Sequence, residues 1–302
     1  MTQNKSILLF LWCVFLCCVN DVIVKKVGGT LHFTEIAFAQ SFFATANLLP
    51  FLLFRERFSL RSDIIHVHML RGVVTACAIV FWFLGLQYCQ IPTATLLGYT
   101  IPIFVLIFAR MFLKEEVSPN TVCTTLICFI GVGVTIIPSK INFHLGSVIL
   151  ILGSIFYALE NIINKKYCNK ESIFNLLFYV NLFSALLLLG PAVYHWTLPN
   201  SIQFGLLFTL GVASNVALFS IITAYKYLSA SFLAPFQYTE LVFAIVFGYT
   251  FFSEFPDYWT FLGGSIIFIG TLLALKKEST ILEVWIREKL YVLKYKAIYW
   301  RW

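Results

Sequence analysis

The chain has 302 residues, of which 60% are hydrophobic and 12% charged, about half the charged fraction of an ordinary soluble domain. Its mean hydropathy is +0.88, and it carries 32 Phe, 14 Tyr and 7 Trp; together these exclude a water-soluble, disordered or nucleic-acid-binding chain and point to a polytopic membrane protein. At about 20 residues per crossing, the length holds roughly ten spans and leaves nothing for a soluble catalytic domain.

Apolar stretches of spanning length fall at 7–27, 33–54, 67–87, 92–113, 119–138, 146–166, 173–194, 203–227, 231–252 and 258–275. They predict ten helices, punctuated by Gly28-Gly29, Arg55-Glu56-Arg57, Gln90-Ile91-Pro92, Ser118-Pro119 and Phe255-Pro256-Asp257. The first run is long enough to span and has no small-residue cleavage site after it, so it reads as a helix rather than a removed signal. The net charge of +7 then reports orientation. With the N-terminus inside, 18 of the 21 basic residues lie on the cytoplasmic side, Arg71 and seven bases after Leu275 among them, and only Lys25, Lys26 and Lys140 lie outside. That segregation predicts both termini inside. The eight cysteines lie mostly within apolar runs, where a thiol behaves as a small hydrophobe. No CxxC pair or Cys/His cluster is present, so neither a metal nor a cofactor is expected.

An internal repeat organises these helices. SILLFLWCVFLCCVNDVIVKKV, from Ser6, aligns with SVILILGSIFYALENIINKKYC, from Ser147, at an offset of 141 that pairs Asn20 with Asn161 and Lys25 with Lys166. An offset of 139 continues the match, pairing Tyr99-Thr100 with Tyr238-Thr239, Phe104 with Phe243, Glu115 with Glu254 and Gly131 with Gly270. Two five-helix halves follow, at 1–138 and 139–275. Because five is odd, the second half enters the bilayer from the opposite face, the inverted arrangement on which alternating access rests. The remaining stretch, 276–302, interleaves bases with Trp285, Leu290, Leu293, Trp300 and Trp302 and reads as a basic amphipathic helix lying on the cytoplasmic leaflet.

The segment from Tyr88 to Pro138 and its copy from Tyr227 to Leu275 resemble the drug/metabolite transporter superfamily, EamA type. Small residues precede the fourth and ninth helices, an acid ends each (Glu115, Glu254), and the fifth helix is glycine-rich. The resemblance covers 6–275. It implies an all-α integral membrane protein of the bacterial inner membrane that is a transporter and not an enzyme. Its cargo would be a small polar or cationic metabolite, with S-adenosylmethionine uptake the particular expectation and export of amino acids or cationic drugs the alternative. The Arg common midway along the family's second helix is Gln40 here, with Asn181 at the equivalent position, so no role transfers from it.

An ionisable group inside a span costs about 2.5–3.5 kcal/mol on insertion scales and usually faces a cavity or the bundle interior. Glu240, near the middle of the ninth stretch with no base beside it, is the leading candidate to bind a cationic group or carry a coupling proton; a purely packing role is the alternative. Asp21 and Glu160 sit at nearly corresponding places beside Asn20 and Asn161 and predict one shared cavity, unless they pair with Lys25 and Asn164 near the interface. Glu35, after His32, reads as interfacial. The amides Asn20, Asn161, Asn215 and Gln237 suit a pocket or a helix joint. Tyr99 and Tyr238, with Phe81 and Trp82, would form aromatic walls around a cation or heterocycle. Gly85, Pro92, Gly98, Pro102, Pro235, Gly263, Gly264 and Gly270 suit either bending during gating or static packing. The rival class is an integral-membrane lipid-modifying enzyme, and its one candidate cluster is Asp63, His66 and His68, read here as solvated loop side chains. Expected partners are a metabolite and membrane lipid, not nucleic acid; a homodimer stays open.

Overall fold

The computed structural model describes residues 3–54, 61–88, 97–136, 145–252, 258–259 and 261–273. Among them there is no strand, and helix lies over each of the ten apolar stretches. In chain order the elements are α1 (Gln3–Val27), α2 (Phe33–Ala46), α3 (Leu49–Phe54), α4 (Ile65–Tyr88), α5 (Ile101–Phe108), which runs into a π-turn (Ala109–Leu113), α6 (Pro119–Ile136), α7 (Leu145–Tyr167), α8 (Ile173–Tyr194), α9 (Ser201–Tyr225), α10 (Ala230–Leu233), a 3₁₀ segment (Ala234–Thr239), α11 (Glu240–Phe252) and α12 (Phe261–Leu273). Six of the described helical runs are long and apolar enough to cross a membrane. Glu254, Pro92 and the tail from 276 lie outside the described residues.

Local chemistry sets the helix ends. His32 and Glu35 form a capping box at α2, Asn200 and Gln203 another at α9, and Ser172 and Ser229 cap α8 and α10. The stretch 33–54 is not one helix: it breaks at Asn47 and Leu48. Pro50 cannot donate and its ring opposes the carbonyl four residues back, at Ala46. Asn215 of α9 fills the gap, donating to Ala44 O (2.6 Å) and to Asn47 Oδ1 (2.7 Å). The stretch 231–252 is likewise divided, because Pro235 removes a donor and Thr239 Oγ1 bonds back to Phe236 O at 2.6 Å. Its repeat mate Thr100 bonds back to Leu97 O at 2.5 Å.

The most extensive packing joins α4 to α7, α1 to α9, α2 to α8 and α4 to α8. Gly211 lets α9 meet the α2 backbone, since a Cβ there would stand 2.7 Å from Ala44 N. At the end carrying the start of α1, one cluster unites Ile7 and Phe10 of α1 with Val105 of α5, Ile162 of α7, Tyr225 of α9 and Phe236 after α10, and a second gathers Leu48 with Phe174, Leu177 and Phe178. Further clusters lie toward the other end. One cluster gathers Ile23, Ile36, Phe83 and Leu210, and another gathers Tyr99, Val132, Leu241 and Ile267.

Candidate substrate site

Asp21 lies on α1 six residues before its end, and Glu240 is the first residue of α11, where the 3₁₀ segment gives way to regular α-helix. Such mid-helix changes of pitch are common at functional sites. α1 and α11 pack together, and Cys18 Sγ donates to Glu240 O at 3.5 Å. The two carboxylates lie within Coulombic reach of each other. Asp21 is exposed and Glu240 half-buried. Among the described residues neither carboxylate has a hydrogen-bond or ion-pair partner. In the repeat register, position 101 (the mate of Glu240) is Ile and position 162 (the mate of Asp21) is Ile, so the acids are not mates of each other or of Glu160.

Of the aromatic rings nearby, Tyr99 stands nearest to the pair. Tyr99 and Tyr238 stand with centroids 5.6 Å apart. Both are buried, and both hydroxyls lack a partner; the Tyr99 hydroxyl lies within Coulombic reach of both acids. The two tyrosines therefore back the site from inside the α6–α12 core instead of standing as an open wall. Trp82 is half-exposed and meets Tyr157 edge to face, with centroids 6.0 Å apart. Phe81 stacks on Phe156 instead.

A polar wall adjoins Asp21. Ser214 Oγ accepts from Asn20 Nδ2 (3.1 Å) and from Gln40 Nε2 (2.9 Å). Next to it, Asn215 Oδ1 accepts from Asn181 Nδ2 at 2.8 Å. Both positions that depart from the family's arginine, Gln40 and Asn181, thus bond to adjacent residues of α9. Asn215 is buried and its amide is fully engaged in joining α2, α8 and α9. Gln237 is half-buried in the 3₁₀ segment, and Asn161 half-buried on α7.

Glu160 belongs to a different constellation. It is buried on α7, flanked by Thr75 and Asn164, with Arg71 as its neighbouring charge. Arg71, counted above only as a charge on the cytoplasmic side, is fully buried. Its Nε and Nη2 donate to Asn164 Oδ1 (3.1 and 2.6 Å) and its Nη1 to Leu176 O (2.8 Å), which ties α4 to α7 and α8. His68, expected to be solvated, is also fully buried. It bonds to Ser62 Oγ at 3.0 Å, lies 3.5 Å from Glu171 and stacks on Tyr179. His66 and Asp63 do remain exposed. Glu171, in the α7–α8 connection, accepts from Ser62, from Ser172 N (2.9 Å) and from Asn175 Nδ2 (3.0 Å). Partial burial pushes its carboxyl pKa up, but these hydrogen bonds and His68 outweigh burial and hold it below the ordinary value.

The other helix-end acids are equally occupied. Glu35 accepts from Thr197 N and from Thr197 Oγ1 (3.0 Å), tying α2 to the α8–α9 connection. Glu115 accepts from Ala230 N (3.2 Å), Ser231 N (3.0 Å) and Ser231 Oγ (2.8 Å), capping α10 from the end of the π-turn. Lys114, at φ 55, is the left-handed residue that turns the chain so that Glu115 can reach. Sequence reasoning missed Arg71, His68, Glu171 and Tyr157. A signal existed for the first two: His68 and Arg71 stand three apart inside a run otherwise apolar enough to span.

Apolar helices of spanning length, carrying two carboxylates without a partner among the described residues, fit a membrane carrier for a small polar solute. The profile of the EamA-like transporter family matches residues 4–137 and again 144–276, and the chain belongs to that family. It is a transporter rather than an enzyme and an integral protein of the inner membrane. It is similar to an S-adenosylmethionine uptake transporter of Rickettsia conorii, with 36% identity over 86% of this chain and 88% of that one. It is also similar to a pseudopaline exporter of Pseudomonas aeruginosa, with 26% identity over 89% and 95% of the two chains. A protein solved by crystallography superposes with a TM-score of 0.79 over 93% of this chain and all of that one; at 16% identity the likeness shows the fold alone.

Proposed function

We propose that the chain takes up S-adenosylmethionine by alternating access, as a secondary transporter of ten crossing helices in two inverted repeats (1–138 and 139–275) with both termini in the cytoplasm. The observation that carries the reading is the Asp21–Glu240 pair: two carboxylates on packed helices that have no hydrogen-bond or ion-pair partner among the described residues, suited to a compact cation such as a sulfonium or an ammonium. The Rickettsia relative's name supplies the particular substrate.

The inverted arrangement draws support from the packing, because α1 against α9 and α4 against α7 are the same contact exchanged between halves, while α2 against α8 maps onto itself. The basic residues support the orientation.

Purified full-length protein in liposomes preloaded with unlabelled S-adenosylmethionine is expected to exchange it for external labelled substrate with saturable kinetics. An absence of saturable exchange overturns the substrate. The P. aeruginosa relative favours a second reading, export; the direction of net flux in intact cells separates the two.

A further inference from the structure

Tyr157 has no part in the reading above, yet it stands where three features meet. Its ring packs edge to face on Trp82 at an interplanar angle of 82°. Its hydroxyl lies within Coulombic reach of Glu160, one turn along its own helix, and of Asp21 and Glu240. The side chain also touches both the main core at the α1-start end and the cluster around Ile23 and Phe83, so it sits at the level where those two part. It is half-buried, and among the described residues its hydroxyl has no hydrogen-bond partner.

The position of Trp82 is equally specified. A Cβ at Gly98 would strike the indole ring, and one at Gly153 would stand 3.1 Å from the Trp82 backbone nitrogen. Gly98 thus leaves room for this ring, and Gly153 lets α7 approach the α4 backbone that carries it. The result is a corner of two rings, each with only two side-chain torsions to order, next to a pair of carboxylates. An aliphatic amine would use the carboxylates alone. A cation that also carries a flat heterocycle would use both, since ring stacking is indifferent to the heterocycle's polar edge and aromatic faces favour poorly hydrated cations.

The geometry points to Tyr157 as a specificity-determining residue. With Trp82 it receives the heteroaromatic part of the substrate while Asp21 and Glu240 hold the cationic centre, and its hydroxyl donates to the bound solute. This assignment rests on the transport reading and adds the substrate class that the site prefers, a heteroaromatic cation over a simple amine.

The test is exchange of labelled S-adenosylmethionine in proteoliposomes, competed by adenosine, which has the ring without the cation, and by S-methylmethionine, which has the sulfonium without the ring. Tyr157→Leu is expected to raise the half-saturating S-adenosylmethionine concentration about tenfold and to abolish competition by adenosine. Competition by S-methylmethionine should hold to within about twofold, and Tyr157→Phe should stay within about threefold of wild type. An unchanged half-saturation in Tyr157→Leu overturns the assignment. So does an equal loss for all three compounds with a lower maximal rate, which is what a packing role gives. Wild-type protein without saturable exchange removes the transport reading and this assignment together; intact exchange with an indifferent Tyr157→Leu removes this assignment alone.

Discussion

Two sets of acids sit in this bundle, and they differ in how well the protein satisfies them. Glu35 and Glu115 each accept two or more hydrogen bonds from an element far away in sequence, Glu171 accepts one from distant Ser62 and two from nearby Ser172 and Asn175, and Glu160 has Arg71 and Asn164 beside it. Among the described residues the carboxylates of Asp21 and Glu240 have no hydrogen-bond or ion-pair partner and lie in reach of each other. Each satisfied acid closes a joint between elements; the unsatisfied pair is the one proposed to meet the substrate. Burial alone does not make the distinction, because Glu160 is more buried than either member of the pair. The partner inventory does, and it separates carboxylates that join helices from the pair proposed to bind substrate.

The comparison breaks first at Arg71. Replacing it with Met leaves Glu160 buried without its counter-charge and costs about 3–5 kcal/mol, seen as loss of folded protein or a large drop in the thermal midpoint in detergent. The double variant Arg71→Met with Glu160→Met should recover much of that. A single variant as stable as wild type would place Arg71 among the dispensable charges. Next comes Glu115→Ala, which leaves the Ala230 and Ser231 amides uncapped and is expected to cost about 1–2 kcal/mol, measured in the same assay.

The smallest effect is a pH dependence at Glu171. Its folded pKa lies below the ordinary glutamate value, so its stabilisation is fully present above about pH 4.3 and is lost as pH falls through the folded value. The thermal midpoint should therefore decline on acidification below that point, and Glu171→Gln should decline less. Equal declines would show that Glu171 adds nothing to the joint.

Much of the fold was legible because a membrane forces helices to declare themselves by length and apolarity. The 141-residue offset likewise brought Asn20 and Asn161 to one register. What was illegible depended on partners supplied from afar. Pro50 hinted at the break after α2, but Asn215, some 170 residues on, completes it. Arg71 read only as a charge on the cytoplasmic side because Asn164 and Leu176, which engage it, lie about 100 residues away. Glu160 looked like a cavity residue by its symmetry with Asp21, but Arg71 claims it. Tyr157 was one aromatic among many until its edge-to-face contact with Trp82, whose ring Gly98 makes room for, set it apart.

The claim that the unsatisfied acids are the binding ones is tested most directly by measuring exchange of labelled S-adenosylmethionine and the thermal midpoint together for Asp21→Asn and Glu240→Gln. The account predicts exchange reduced at least about tenfold in each, as expected when a charge-assisted contact worth about 1.5–3 kcal/mol is removed, with a midpoint equal to or above that of wild type. Exchange at the wild-type rate in both variants, or a fall in stability that accompanies its loss, would contradict it.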